Sequence, residues 1–122
     1  DTFLSIESFI LTDHNDQFHG LSRQKGVESV DGGEGDDRLF GHGGRDHLSG
    51  GVGDDWLAGG AQRDVLAGGI GADTFAFAKG ERGRDTITDF ELGVDTLRLS
   101  GVRLDQVRLV AAGDDTVVVV RG

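Results

Sequence analysis

Five aspartates, Asp37, Asp46, Asp55, Asp64 and Asp73, stand nine residues apart, each five residues after a glycine. Carboxylates on a fixed period can serve as proton-transfer groups or as metal ligands, and their neighbours decide which. From Gly32 to Ala76 the chain divides without a gap into GGEGDDRLF (32–40), GHGGRDHLS (41–49), GGVGDDWLA (50–58), GGAQRDVLA (59–67) and GGIGADTFA (68–76). The first position is always Gly and the sixth always Asp. The eighth is always large and apolar: Leu39, Leu48, Leu57, Leu66 and Phe75. A period of this kind marks a repeat architecture, in which each unit buries its apolar side chain only by stacking on others.

The elements that must position the aspartates follow from the unit itself. Glycines at the first, second and fourth positions suit a six-residue turn, because they accept positive φ and close backbone approach. The last three residues read as a short strand whose middle side chain points to one face and its neighbours to the other. Two units bring the chain back to the same side, so one coil takes 18 residues. The spacing therefore stacks Asp37 on Asp55, Asp55 on Asp73 and Asp46 on Asp64, with Glu28 over Asp46 as a looser, longer-armed member. Carboxylates this close repel unless a cation lies between them. With carbonyls freed by the turns they make an all-oxygen cage of six or more ligands. Such a cage suits Ca²⁺; Mg²⁺ holds its waters, and Zn²⁺ prefers nitrogen and sulfur.

The frame continues outward in degraded form. Residues 11–19 place Asp16 and Phe18 in frame before an insertion at 20–22, and residues 23–31 place Gly26, Glu28 and Val30. After an insertion at 77–79, residues 80–88 keep Gly80, Gly83, Asp85 and Ile87, and residues 90–98 keep Gly93, Asp95 and Leu97. Val107–Val110 and Thr116–Val120 flank the turn Ala111-Ala112-Gly113-Asp114-Asp115, which predicts an antiparallel hairpin capping one end. Ile6–Leu11 predicts a strand capping the other. No helix is expected. The fold class is all-β: a parallel, right-handed β-helix-like roll of 18 residues per coil. It forms one domain over 1–122, with a cap strand and degenerate repeat at 1–22, repeats at 23–76, and the closing segment and hairpin at 77–122.

Composition narrows the function. The 122 residues carry 22 Gly, 22 Asp and Glu, no Cys, and a formal charge of −10. The acidic balance disfavours nucleic acid, no apolar run is long enough to span a membrane, and thiolate sites and disulfides are excluded. About five Ca²⁺, within a range of 4–6, would bring the charge near zero at 6–8 oxygens per ion. The start, Asp1-Thr2-Phe3-Leu4, shows neither an initiating Met nor a signal peptide, which suggests a piece of a longer protein. The histidine pairs His14/His19 and His42/His47 lack a zinc motif. Asp13–Gln17 lacks the glycine and terminal glutamate of an EF-hand loop. No nucleotide-binding glycine pattern lies between a strand and a helix, and a thin double row of Leu and Phe leaves no deep pocket for catalysis. Trp56, at a seventh position beside Arg38 and Thr74, is expected to point outward, where it can cover the sheet or stack on a sugar whose carboxylate Arg38 would hold.

Over residues 11–98, and most specifically over 32–76, the chain resembles the RTX family, the hemolysin-type repeats of proteins exported by type I secretion. The stretch 71–100 is similar to the closing segment of serralysin-type proteases and related exported proteins. The resemblance implies a secreted, extracellular, non-catalytic module, an upstream domain, and the type I secretion machinery and calcium as partners. It also implies a polysaccharide as an alternative partner, since alginate epimerases carry such modules. It assigns ligands by position. Gly33, Gly35 and Asp37 would face Gly50, Val52 and Asp55, while Gly51, Gly53 and Asp55 would face Gly68, Ile70 and Asp73. Across the roll, His42, Gly44 and Asp46 would face Gly59, Ala61 and Asp64. Asp16, Glu28, Asp85 and Asp95 hold the same position in the degraded units. Gln62 replaces the family's glycine, which leaves a site between the 59–64 turn and Asp85 without its usual support.

Overall fold

The computed structural model describes residues 6–20, 27–78, 83–91, 93–102, 107–112 and 115–120. All regular structure among them is strand. The strands are β1 (Ile6–Ile10), β2 (Gln17–His19), β3 (Val27–Asp31), β4 (Arg38–Phe40), β5 (His47–Ser49), β6 (Trp56–Ala58), β7 (Val65–Ala67), β8 (Thr74–Ala78), β9 (Gly83–Ile87), β10 (Thr96–Ser100), β11 (Val107–Ala112) and β12 (Asp115–Val120). Successive repeats fall alternately into two sheets. One sheet has the order β1-β3-β5-β7-β9-β12-β11 and the other β10-β8-β6-β4-β2.

The expected coil is present as register. Arg38 pairs with Trp56 and Leu39 with Leu57, His47 with Val65 and Leu48 with Leu66, all in parallel. Where the chain carries an insertion, the register absorbs it. Gln17 pairs with Arg38 and Val65 with Thr86, each 21 residues on. The stack therefore keeps its parallel register across both insertions. The middle strand residues point inward and form the core: Val30, Leu39, Leu48, Leu57, Leu66, Phe75 and Ile87, joined by Phe77. Phe18 and Leu97, at the two ends of the smaller sheet, are half-buried against it.

Both end caps form, and the hairpin differs in detail from the expectation. β11 includes Ala111 and Ala112, and β12 starts at Asp115, so the strands consume residues assigned to the turn. β12 also pairs antiparallel with β9, from Thr116↔Ile87 to Val120↔Gly83. The hairpin thus extends one sheet edge, giving β9 a partner where the parallel stack ends. β1 does the same for β3 at the other end. Gly26, Gly80, Gly113 and Asp114 lie outside the described residues.

Candidate metal centre

The sixth-position side chains point into the two turn-bearing edges of the roll, where each is held by the coil before it. The backbone N–H of Asp37 donates to Oδ1 of Asp55 at 2.8 Å, that of Asp46 to Asp64 at 2.8 Å, and that of Asp55 to Asp73 at 2.9 Å. The ladders continue outward through Asp16 to Asp37 at 2.8 Å, Glu28 to Asp46 at 3.2 Å, Asp64 to Asp85 at 2.8 Å and Asp73 to Asp95 at 3.0 Å. One edge therefore stacks residues 16, 37, 55, 73 and 95, and the other 28, 46, 64 and 85. These are the stacks the repeat spacing implies.

The second oxygen behaves differently along each ladder. Oδ2 of Asp37, Asp46, Asp55, Asp64 and Asp73 is buried and receives no hydrogen bond from the protein. A buried carboxylate oxygen without a donor is costly, so each such atom calls for a partner of positive charge. At both outer ends of the first edge the protein supplies that partner itself. Oδ2 of Asp16 accepts from the Thr12 N–H and hydroxyl, both at 2.8 Å, and Oδ2 of Asp95 accepts from the Glu91 N–H at 2.8 Å. Among the described residues the donorless oxygens belong to the five regular repeats, a distinction that spacing could not reveal because it depends on local turns outside the frame.

The surroundings of these oxygens fit a hard cation. A Cβ built on Gly32 would sit 2.6 Å from both Asp37 Oδ2 and the Gly50 carbonyl oxygen. One built on Gly41 would sit 2.6 Å from Asp46 Oδ2 and 2.7 Å from the Gly59 oxygen, and Gly50 is flanked in the same way by Asp55 Oδ2 and the Gly68 oxygen. The first-position glycine thus keeps open a cradle between a carboxylate and the carbonyl one coil on. The ladders bring together the expected pairs Asp37 with Gly50, Asp55 with Gly68 and Asp46 with Gly59. Other expected carbonyls are partly engaged. Gly33 O accepts from the Val52 N–H at 2.9 Å, Gly51 O from Ile70 at 3.0 Å, and His42 O from Ala61 at 2.8 Å. Val52 O and Ile70 O accept from Gly35 and Gly53 at 3.0 and 2.9 Å. Each keeps its second lone pair.

Burial raises the carboxyls of Asp46 and Asp73 to about 7 and that of Asp55 to about 6, and it raises Asp37 also. Asp64 is driven highest, to about 9, by burial and then by the adjoining Asp85. These shifts express the same strain as the donorless oxygens: the chain alone opposes charge that a divalent cation would welcome.

Gln62, expected to weaken its turn, adopts φ 73° and so takes the left-handed conformation that glycine holds elsewhere. His42 does likewise at φ 67°. The Asp64–Asp85 step of the ladder is present with Gln62 in this conformation. The histidines pair otherwise than by sequence proximity. His19 Nδ1 lies 3.1 Å from His42 Nε2, and His19 stacks on Phe40 at 4.7 Å. Among the described residues no group of three or more His, Asp, Glu or Cys side chains converges on one point. Trp56 lies in register with Arg38 and Thr74, as expected. Arg98, unforeseen because it lies in a degraded unit, comes 5.5 Å from the indole centroid, with Arg38 at 5.6 Å.

The RTX calcium-binding nonapeptide repeat model (4 copies) matches residues 25–57, 40–75 and 49–87, together just over half of the chain. This chain belongs to the RTX calcium-binding repeat family. No curated protein matched it. Its donor set of carboxylate and carbonyl oxygens is that of a Ca²⁺-binding β-roll, and no helix of the described residues is long and apolar enough to cross a membrane.

Proposed function

We propose that this RTX roll is a calcium-driven folding module of a protein exported by type I secretion, and that it steadies an attached domain once outside the cell. The observation that supports this reading is the row of five buried, donorless aspartate oxygens, one per regular repeat. In the cytosol, where Ca²⁺ is scarce, burying those carboxylates is opposed and the chain stays extended enough to thread a channel. Extracellular modules bind Ca²⁺ at about 10⁻⁴–10⁻³ M, so the ion outside supplies the missing charge and folding follows binding. The proposed ligands are the aspartates of the two ladders with the first-position carbonyls of Gly50, Gly59 and Gly68, completed by second lone pairs of neighbouring turn carbonyls. Asp16 and Asp95 close one ladder with protein donors of their own.

Far-UV circular dichroism in excess chelator tests the reading. The chain should be largely unstructured and should gain β structure cooperatively with Ca²⁺, while Mg²⁺ at the same concentration should substitute poorly. A full β spectrum in chelator would defeat it. A second reading, binding of an anionic polysaccharide, draws support from the two guanidiniums that flank Trp56 in a chain of charge −10. Calorimetric titration of a polyuronate into Arg38→Ala and Arg98→Ala variants, with Ca²⁺ present throughout, tests it. Unchanged affinity in both variants would dismiss that face.

A further inference from the structure

The fifth position of the repeat, next to the aspartate ladder, carries opposite charge on the two edges of the roll. On the edge that stacks Asp37, Asp55 and Asp73, the fifth positions are Asp36 and Asp54. They form an exposed ladder of their own: the Asp36 N–H donates to Asn15 Oδ1, Asp54 to Asp36 and Ala72 to Asp54, each at 2.8 Å. On the opposite edge the fifth positions are Arg45, Arg63 and Arg84, all exposed. Among the described residues no carboxylate pairs with these guanidiniums. Three cations stacked at the strand spacing of about 4.8 Å repel one another and gain from an equally spaced row of anions.

The third positions complement each other in size. The acidic edge presents Val52 and Ile70, 50% and 72% exposed, while the basic edge has Gly43 and Ala61. Both edges share one period because both are built from the same coil. From this we propose that the acidic edge of one roll docks against the basic edge of a second copy, with Asp36 and Asp54 meeting the Arg45–Arg63–Arg84 row and Val52 and Ile70 seating over Gly43 and Ala61. The turns of the two edges run between the sheets in opposite senses. Matching the rows therefore turns the second copy over about the line joining the edges. The contact is heterologous, so it leaves a free edge at each end and propagates into open arrays.

Sedimentation velocity in Ca²⁺ tests this. At low salt and rising concentration the weight-average mass should at least about double, and roughly 1 M salt, where screening falls to about 3 Å, should return it to the monomer. Asp36→Asn with Asp54→Asn removes the acidic row but keeps the Oδ1 acceptors, as Asn15 already shows is possible, and should leave a folded monomer. Arg45→Glu, Arg63→Glu and Arg84→Glu together should do the same, with circular dichroism confirming the fold. A wild-type chain that stays monomeric at low salt overturns the proposal. So does association that both variants retain. Retention of the monomer on a polyuronate resin, lost in the arginine variant, would instead identify the basic edge as a polyanion site and would also overturn it.

Discussion

Replacing Asp55 by Asn should change the sign of its effect with the calcium concentration. Asp55 sits mid-ladder, its Oδ1 accepting from Asp37 and its Oδ2 buried without a donor. In the chain alone its carboxyl is raised from the usual 3.8 to about 6, mainly by burial. A raised folded-state value means that stability is fully present below the unfolded value of about 3.9 and lost as pH rises through about 6. At about 1.4 kcal/mol per pH unit, holding the ionised form at pH 8 costs on the order of 3 kcal/mol. Asparagine cannot ionise, and its Oδ1 still accepts the Asp37 N–H. In chelator, Asp55→Asn should therefore stabilise the fold by up to roughly 3 kcal/mol. In Ca²⁺ the same change should weaken the two proposed sites, Asp37/Asp55 and Asp55/Asp73. At 10–100 times the dissociation constant each site contributes about 1.4–2.7 kcal/mol, so the loss should be roughly 3–5 kcal/mol. Urea unfolding by circular dichroism at pH 8 reads both, with trimethylamine N-oxide added to the chelator series to bring the fold into range. Destabilisation under both conditions would refute the reasoning, since Asp55 would then serve the fold through packing or its hydrogen bond alone.

The ladders carry further expectations. Asp64→Ala should lose as much bound Ca²⁺ as Asp55→Ala, counted by calorimetry, because the structure gives Asp64 both Asp46 and Asp85 as neighbours. Asp16→Asn and Asp95→Asn should lose less than either, since their second oxygens already have protein donors. Lowering pH from 8 towards 5 in chelator should increase β structure as Asp46, Asp55, Asp64 and Asp73 take up protons. With Ca²⁺ bound the dependence should instead be flat from about pH 8 to 5 and stability should fall below about pH 4, because a bound cation holds the same carboxyls below the unfolded value of about 3.9, and the stability so gained is lost as pH falls through the folded value. Gly51→Ala should unfold the roll at any calcium level, as its Cβ would collide with the Gly33 carbonyl at a φ of +92°.

Most of this protein was legible in the chain because a repeat writes one local rule many times. The nine-residue period fixed which side chains point inward, and the return of the chain after two units fixed which aspartates stack. Leu39, Leu57 and Phe75 are buried as a column, and Asp37, Asp55 and Asp73 as a ladder, for that reason alone. What spacing could not decide lies where contacts skip the period. The turn at Gln62 holds because its backbone reaches φ 73°, a property of the folded coil that residue type alone would disfavour. Arg98 reaches Trp56 across an intervening strand, and His19 meets His42 from 23 residues away, through side-chain reach over the sheet. The sequence by itself determined the coil, its core and the cation-seeking chemistry of its edges, since those depend on neighbours one period apart. Only the tertiary structure decided which carboxylate oxygens lack a donor and which are closed off by Thr12 and Glu91, because that depends on irregular turns folding back onto the ends of the ladder.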